Sequence, residues 1–209
     1  GAERGERHRL ALAEPRQHPQ LGRRQVDAGA AGEIGVDAPA VLVRHQHVAA
    51  TPGLGLQRYL PNTNVLETRF EAPEGAFRVL DFAPRFVQYD RSFRPTKLVR
   101  IVEPLAGTPR IRVSCDPVLG WSKARPQREA GSHHISYRGF PAEVRLTTNA
   151  PLSYLDGEPF ALTERKHFVF SWGAPVEEAL EPLCERFLSE TVAYWRMWVS
   201  TATCRRSSS

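Results

Sequence analysis

Four carboxylates, Asp81, Glu103, Asp116 and Glu143, lie in or beside segments that read as strands. A general acid and a general base held at a fixed separation form the pair that hydrolyses glycosidic bonds. The spacing of these four along the chain places no two of them at such a separation. The pattern therefore favours solvated or cross-strand carboxylates, and we predict no catalytic residue.

Two adjacent histidines, His133 and His134, are the nearest approach to a metal-binding motif. Successive residues of a strand point to opposite faces, so the two rings cannot chelate one ion from one face. The three cysteines, Cys115, Cys184 and Cys204, are widely spaced and form no C-x-x-C motif, which is typical of neither a disulfide framework nor a zinc site. We predict no metal and no cofactor.

Two tryptophans have the chemistry to stack on a sugar ring. Trp172 shares an apolar strand face with other aromatic residues, which indicates a core position, whereas Trp121 lies in a Gly/Pro-rich loop. Trp121 is therefore the candidate substrate-binding residue.

Composition divides the chain into three parts. All 19 aromatic residues lie between Tyr59 and Trp198. Residues 1–57 are rich in Ala, Arg and Gly and have little large apolar surface to offset the entropy of ordering, so we predict that they are poorly ordered. Residues 58–198 form the predicted folded domain, and 199–209 a polar tail.

Charge and hydropathy exclude several partners. The chain carries a formal net charge of +5, but residues 58–198 hold 19 basic and 17 acidic residues, and no basic stripe indicates nucleic-acid binding. No apolar run approaches the roughly 20 residues of a membrane span. The first thirty residues lack the apolar core of a secretory signal, so we predict a cytoplasmic protein.

The elements of 58–198 follow from alternation of apolar and polar residues. The clearest example is Arg110–Cys115, in which Ile111 and Val113 alternate with arginines. A second is 65–70, in which Leu66, Thr68 and Phe70 share one face and Glu67 and Arg69 share the other. Turn residues separate about eight such segments, which predicts a mainly β fold, an antiparallel β-sandwich. The predicted strands are 65–70, 76–82, 97–105, 110–115, 133–137, 142–147, 160–162 and 166–172.

One C-terminal amphipathic helix is predicted over about 176–198, because apolar residues recur there at steps of three and four. Pro182 lies inside it, so the helix either starts near this residue or kinks. Its end carries Tyr194, Trp195 and Trp198, more aromatic surface than a small sandwich buries, which predicts that the helix docks on something else.

Two sequence blocks resemble a known family. "RYLPNTNVLETRF" (58–70) and "RVLDFAPR" (78–85) are similar to the N-terminal, trehalase-like domain of bacterial glucoamylase-like proteins of glycoside hydrolase family 15. Residues 98–100, Glu103 and the strand 110–115 resemble that domain's next hairpin. The segment 187–198 resembles the helix that leads into the catalytic domain.

The resemblance implies an antiparallel β-sandwich that itself performs no chemistry. In the family an (α/α)6 barrel supplies both catalytic glutamates and hydrolyses α-glucosides with inversion. This chain is therefore expected to be inactive alone and to support such a barrel, its partner in cis or in trans. The resemblance implies structural or domain-interface roles for Tyr59, Asn62, Asn64, Asp81, Phe82, Arg85, Trp195 and Trp198.

The ends of the chain depart from the family pattern. Residues 1–50 lack the family's opening strands, and the amino-acid composition changes abruptly after Trp198. These two departures suggest a fragment of a longer hydrolase gene that is flanked by out-of-frame codons. Two other functions stay open. One is a free-standing module that binds an α-glucan oligosaccharide through Trp121, and the other is a protein-interaction module that uses the helix 183–198.

Overall fold

A computed structural model describes residues 41–45, 56–119 and 124–204. The fold of these residues is mainly β, every strand pairing is antiparallel and one α-helix closes the chain, as the alternation predicted. The helix is α1 (Leu180–Cys204), and a short 3-10 helix spans Leu152–Leu155. The strands are β1 (Val41–His45), β2 (Leu56–Tyr59), β3 (Leu66–Ala72), β4 (Gly75–Phe82), β5 (Phe86–Gln88), β6 (Arg91–Phe93), β7 (Lys97–Gly107), β8 (Arg110–Cys115), β9 (Gln127–Ala130), β10 (His134–Arg138), β11 (Val144–Thr148), β12 (Phe160–Ala161) and β13 (Lys166–Trp172).

Two sheets of unequal size form the sandwich. The large sheet has the order β2-β3-β4-β7-β13-β11-β10-β9 and the small one has the order β1-β8-β12, while β5 and β6 form a separate hairpin. Ile111 and Val113 of β8 are fully buried in one cluster with Phe77 of β4 and Phe168 of β13. The inner faces of the two sheets therefore share one core, as in aligned β-sandwiches.

The connection from β7 to β8 corrects one expectation. The resemblance implied a hairpin here, but β8 pairs with β1 and β12 and has no partner in the large sheet. The turn at 107–109 carries the chain from one layer to the other. This crossing lets the apolar side chains of β8 face the core of the large sheet.

Helix α1 covers the other face of the large sheet. Leu183, Cys184 and Phe187 are buried in a second cluster with Val99 and Ile101 of β7. The central strands consequently bury side chains on both faces, which explains why 98–102 is almost continuously apolar. The molecule thus has three layers: small sheet, large sheet and helix.

The bounds of α1 resolve the question about Pro182. The helix begins at Leu180, so the proline lies in its first turn, where the missing N–H removes no intrahelical hydrogen bond. The helix ends at Cys204, six residues beyond the predicted end. The helix also begins four residues later than the predicted position 176.

The segment 1–57, predicted to be poorly ordered, is described only in part. Val41–His45 is a strand, with Val41 opposite Cys115 and His45 opposite Ile111 in the register of β8. Leu56 and Gln57 open β2 at the edge of the large sheet. Residues 1–40 and 46–55 lie outside the described residues.

Candidate functional site

The four candidate carboxylates are each held by arginine, at separate places. Asp81 receives two hydrogen bonds from Arg100, at 2.6 and 2.8 Å, on the inner face of the large sheet. Asp116 lies 3.8 Å from Arg125 on the surface. Asp81 and Asp116 are thus members of two separate ion pairs.

Glu143 and Glu103 follow the same rule. Glu143 accepts a hydrogen bond from Arg145, which is the main cause of a lowered pKa for this carboxyl. Burial opposes ionisation of Glu103, but hydrogen bonds from Arg165 and Arg78 lower its pKa overall. Neither group is held in the protonated form that would donate a proton at neutral pH.

Glu103 belongs to a row of alternating charges, which we call the charge ladder, on the helix side of the large sheet. The charge ladder crosses strands β2, β3, β4 and β7 and ends on α1. The ion-pair distances range from 2.5 to 3.4 Å. Its members, in order, are Arg58, Glu67, Arg78, Glu103, Arg165 and Glu185.

Glu67 is the buried member of the ladder. The alternation placed it on the face opposite Leu66 and Phe70 and gave no sign of burial, yet its side chain is 2% exposed. Arg58 and Arg78 cover it, with the Arg58 Nε to Glu67 Oε2 distance at 2.7 Å. Burial alone would raise its pKa, but the hydrogen bond and charge of Arg58, together with Arg78, lower it.

His167 lies beside the helix end of the ladder and is fully buried. Its Nδ1 lies 3.3 Å from the Asn149 amide nitrogen, and its Nε2 lies 3.6 Å from Glu185 Oε1. Asn149 Oδ1 accepts a hydrogen bond from the His167 backbone N–H, and Asn149 Nδ2 also contacts the Arg165 carbonyl. This fixes the amide orientation, so Nδ1 of His167 is an acceptor and the proton is on Nε2. Burial lowers the pKa of the ring, against the influence of Glu181 and Glu185.

The predicted interface residues lie at three different places in the structure. Phe82 is buried against α1, and Arg85, Trp195 and Trp198 are joined by ring contacts, whereas Asp81 faces inward. The others, Tyr59, Asn62 and Asn64, are exposed at the turn between β2 and β3, where Asn62 has a φ of 59°. No described contact joins this turn to Trp195 or Trp198.

Arg85 is the centre of the group on the helix. Its backbone N–H donates to Thr191 Oγ1 at 3.1 Å. Its guanidinium carbon lies 4.9 Å from the Tyr194 ring centroid and 5.3 Å from that of Trp195. Trp195 in turn contacts Trp198 edge to face, at 5.8 Å between centroids. We call the surface formed by Arg85, Tyr194, Trp195 and Trp198 the helix-end face.

The helix-end face continues the buried stripe of α1. Leu183, Phe187 and Thr191 are at most 5% exposed and recur every fourth residue. Trp195 lies four residues after Thr191 and Trp198 three residues beyond it; Trp195 is partly buried, whereas Trp198 is 55% exposed. A stripe that is core at one end is thus uncovered at the other.

A groove lies next to this face, between the β5–β6 hairpin and α1. Its volume is about 210 Å³. Tyr89 at the hairpin tip is 86% exposed and has a φ of 51°, a left-handed conformation that is uncommon outside glycine. The groove is lined by Phe86, Val87, Glu190, Ala193, Tyr194 and Met197.

The remaining candidates add little to a site. Trp121 lies outside the described residues. His134 is the first residue of β10, and His133 precedes it. Among residues 41–45, 56–119 and 124–204, no group of three His, Cys, Asp or Glu side chains is placed to hold a metal ion. In the same part of the chain, α1 lacks the long apolar stretch that a membrane-crossing helix requires.

Sequence reasoning missed the ladder and the β5–β6 hairpin. Arg165, His167 and Glu185 are brought to Glu103 only by the pairing of β13 with β7 and by the docking of α1. No local spacing signals such a juxtaposition. The hairpin left only a weak local signal, since Tyr89-Asp90 lies between the apolar pair Phe86-Val87 and the single apolar residue Phe93.

Comparison with known proteins gives no match: no family model, no curated protein and no solved structure is similar to this chain.

Proposed function

We propose that this chain is a non-catalytic β-sandwich domain of a glucoamylase-like glycoside hydrolase that acts on α-glucosides, and that it supports an (α/α)6 catalytic barrel. We propose a cytoplasmic location for it. The observation that carries the proposal is the helix-end face. There the last aromatic residues of α1 continue a buried stripe into solvent, next to Arg85 of the family-like block 78–85.

The described carboxylates support an accessory role. Asp81, Glu103, Asp116 and Glu143 are each paired with arginine. An inverting glycosidase needs a protonated carboxyl and a carboxylate base across a gap wide enough for water. Hydrogen bonds from arginine lower the pKa values of Glu103 and Glu143, so neither of these two is kept protonated as the acid.

The proposal predicts a complex between two separately purified proteins. The 209-residue chain is titrated with the (α/α)6 barrel of a glucoamylase-like hydrolase by isothermal calorimetry, and maltose hydrolysis is measured for each alone and together. We expect binding, and no hydrolysis by this chain alone. Hydrolysis by this chain, or no complex, would contradict the proposal.

A matched pair of variants locates the contact. Trp198→Ala removes the exposed ring of the helix-end face and is expected to raise Kd about 30-fold, as for a central aromatic anchor. Leu105→Ala removes an apolar side chain that is 40% exposed near the C-terminal end of β7, outside the helix-end face. This variant is expected to leave Kd unchanged. Equal affinities for the two variants would exclude the helix-end face as the contact.

A further inference from the structure

The helix-end face contains hydrogen-bond donors without acceptors. Nε of Arg85 and Nε1 of Trp195 are both buried and have no hydrogen-bond partner among the described residues. A buried donor left unpaired costs free energy. Both groups donate only, so what they lack is an acceptor. Oε2 of Glu190, which lines the adjacent groove, is also buried without a hydrogen-bond partner and bonds to neither of them.

The setting of Arg85 defines the geometry of that acceptor. The Tyr194 and Trp195 rings pack against the guanidinium, and the hydrogen bond to Thr191 fixes the backbone of Arg85. A guanidinium held by aromatic rings keeps the edge of its planar fork for a bidentate partner, and a carboxylate matches that fork.

The side chains near Arg85 carry further positive charge. Arg91 and Arg94, on or next to β6, are exposed and, like Arg85, form no ion pair within the described part of the chain. Asp90 and Glu190 are the acidic residues of this region, so arginine is in excess. A partner surface that carries carboxylates is complementary to it.

We infer that the helix-end face binds a carboxylate of the partner domain, received by the guanidinium of Arg85. This inference rests on the proposed function and adds the chemistry of its contact. Apolar contact at Trp198 covers the stripe, and the ion pair sets the orientation of the partner. The contact is then sensitive to salt, since charges at an interface rim are screened.

The test uses the full chain and the same (α/α)6 barrel, titrated at 50 mM and 500 mM NaCl. Arg85→Gln keeps the size of the side chain and removes the charge, and we expect Kd to rise about 30-fold at low salt and its salt dependence to shrink. Arg85→Lys restores the charge without the fork and is expected to recover only part of the affinity. Arg125→Gln makes the same charge change at a side chain that is 81% exposed elsewhere, and should bind like the wild-type chain.

The outcomes separate the two proposals. Wild-type affinity and salt dependence in Arg85→Gln, with normal binding of the barrel, would overturn the carboxylate contact and leave the proposed function standing. Absence of binding by the wild-type chain would overturn the proposed function, and this inference with it. A thermal melt of each variant checks folding. If Arg85→Gln does not melt cooperatively, Arg85→Lys carries the test, and wild-type affinity in that variant overturns the inference.

Discussion

Acidification from pH 7.5 to 5.0 is expected to destabilise the docking of α1 through one buried side chain, His167. The ring accepts a hydrogen bond at Nδ1 from Asn149, whose amide is fixed by two other hydrogen bonds. A proton added at Nδ1 would point at the Asn149 amide, donor against donor. Glu181 and Glu185 of α1 favour the charged ring and Arg165 opposes it, but burial, the largest influence, keeps the pKa below its ordinary value of 6.5.

The sign of the effect follows from proton uptake. The ring takes up a proton near pH 6.5 in the unfolded chain and only at lower pH in the folded chain. Below about pH 6.5 the unfolded state therefore binds more protons, and the free energy of unfolding falls until the pH reaches the folded pKa. The loss from this one residue at pH 5 is at most about 2 kcal/mol, the limit reached when the folded ring takes up no proton at that pH. That is a large share of the stability of an ordinary domain.

The assay is urea unfolding followed by tryptophan fluorescence at both pH values. A loss of about 2 kcal/mol lowers the midpoint by about 1 M urea for a domain of this size. His134, whose pKa is also lowered, adds a loss of the same sign, so the readout is the difference between the wild-type chain and His167→Gln. His133→Gln, at an exposed position, is the control and should keep the wild-type pH dependence. An equal pH-dependent loss in His167→Gln would refute the reasoning.

Three further changes test the layers of the fold. Phe187→Ala empties a buried site between helix and sheet and is expected to cost about 3–5 kcal/mol in urea unfolding, whereas Leu105→Ala should stay within about 0.5 kcal/mol. Gly107→Ala should lower the melting temperature, since φ is 60° there and the added Cβ would lie 2.4 Å from a backbone oxygen; an unchanged melt would contradict this geometry. Cys115 and Cys184 are buried, and burial raises their pKa values to about 11 and 12. Both thiols should therefore stay unmodified by iodoacetamide in the native chain at pH 8 and become alkylated in urea, as measured by peptide mapping.

The strands and their core faces could be predicted because the signal is local. A two-residue period in 110–115 and 166–172 predicts which side chains point inward. Ile111, Val113 and Phe168 are buried as this period predicts. The helix followed in the same way from a period of three to four. Its end was harder to place, because polar residues after Trp198 give no apolar period although the backbone stays helical to Cys204.

The partition of strands between layers could not be predicted, because it depends on pairings far apart in sequence. Nothing local shows that β8 leaves the large sheet to pair with β1 and β12. The same applies to the burial of Glu67, which alternation places on the face opposite Leu66 and which the arginines of two neighbouring strands cover. The ladder and His167 are therefore visible only in three dimensions.

Two polar attachments determine where α1 lies on the sheet. Apolar burial holds the helix down, but it is non-directional, and a helix can slide or rotate on a flat apolar face at small cost. The Glu185–Arg165 pair fixes the helix near β13, and the hydrogen bond from Arg85 to Thr191 fixes it about a turn and a half further along. With both points set, the direction in which Tyr194, Trp195 and Trp198 leave the sheet is set as well. The charge ladder thus acts on the helix-end face without touching it, since it determines the orientation in which those rings are presented.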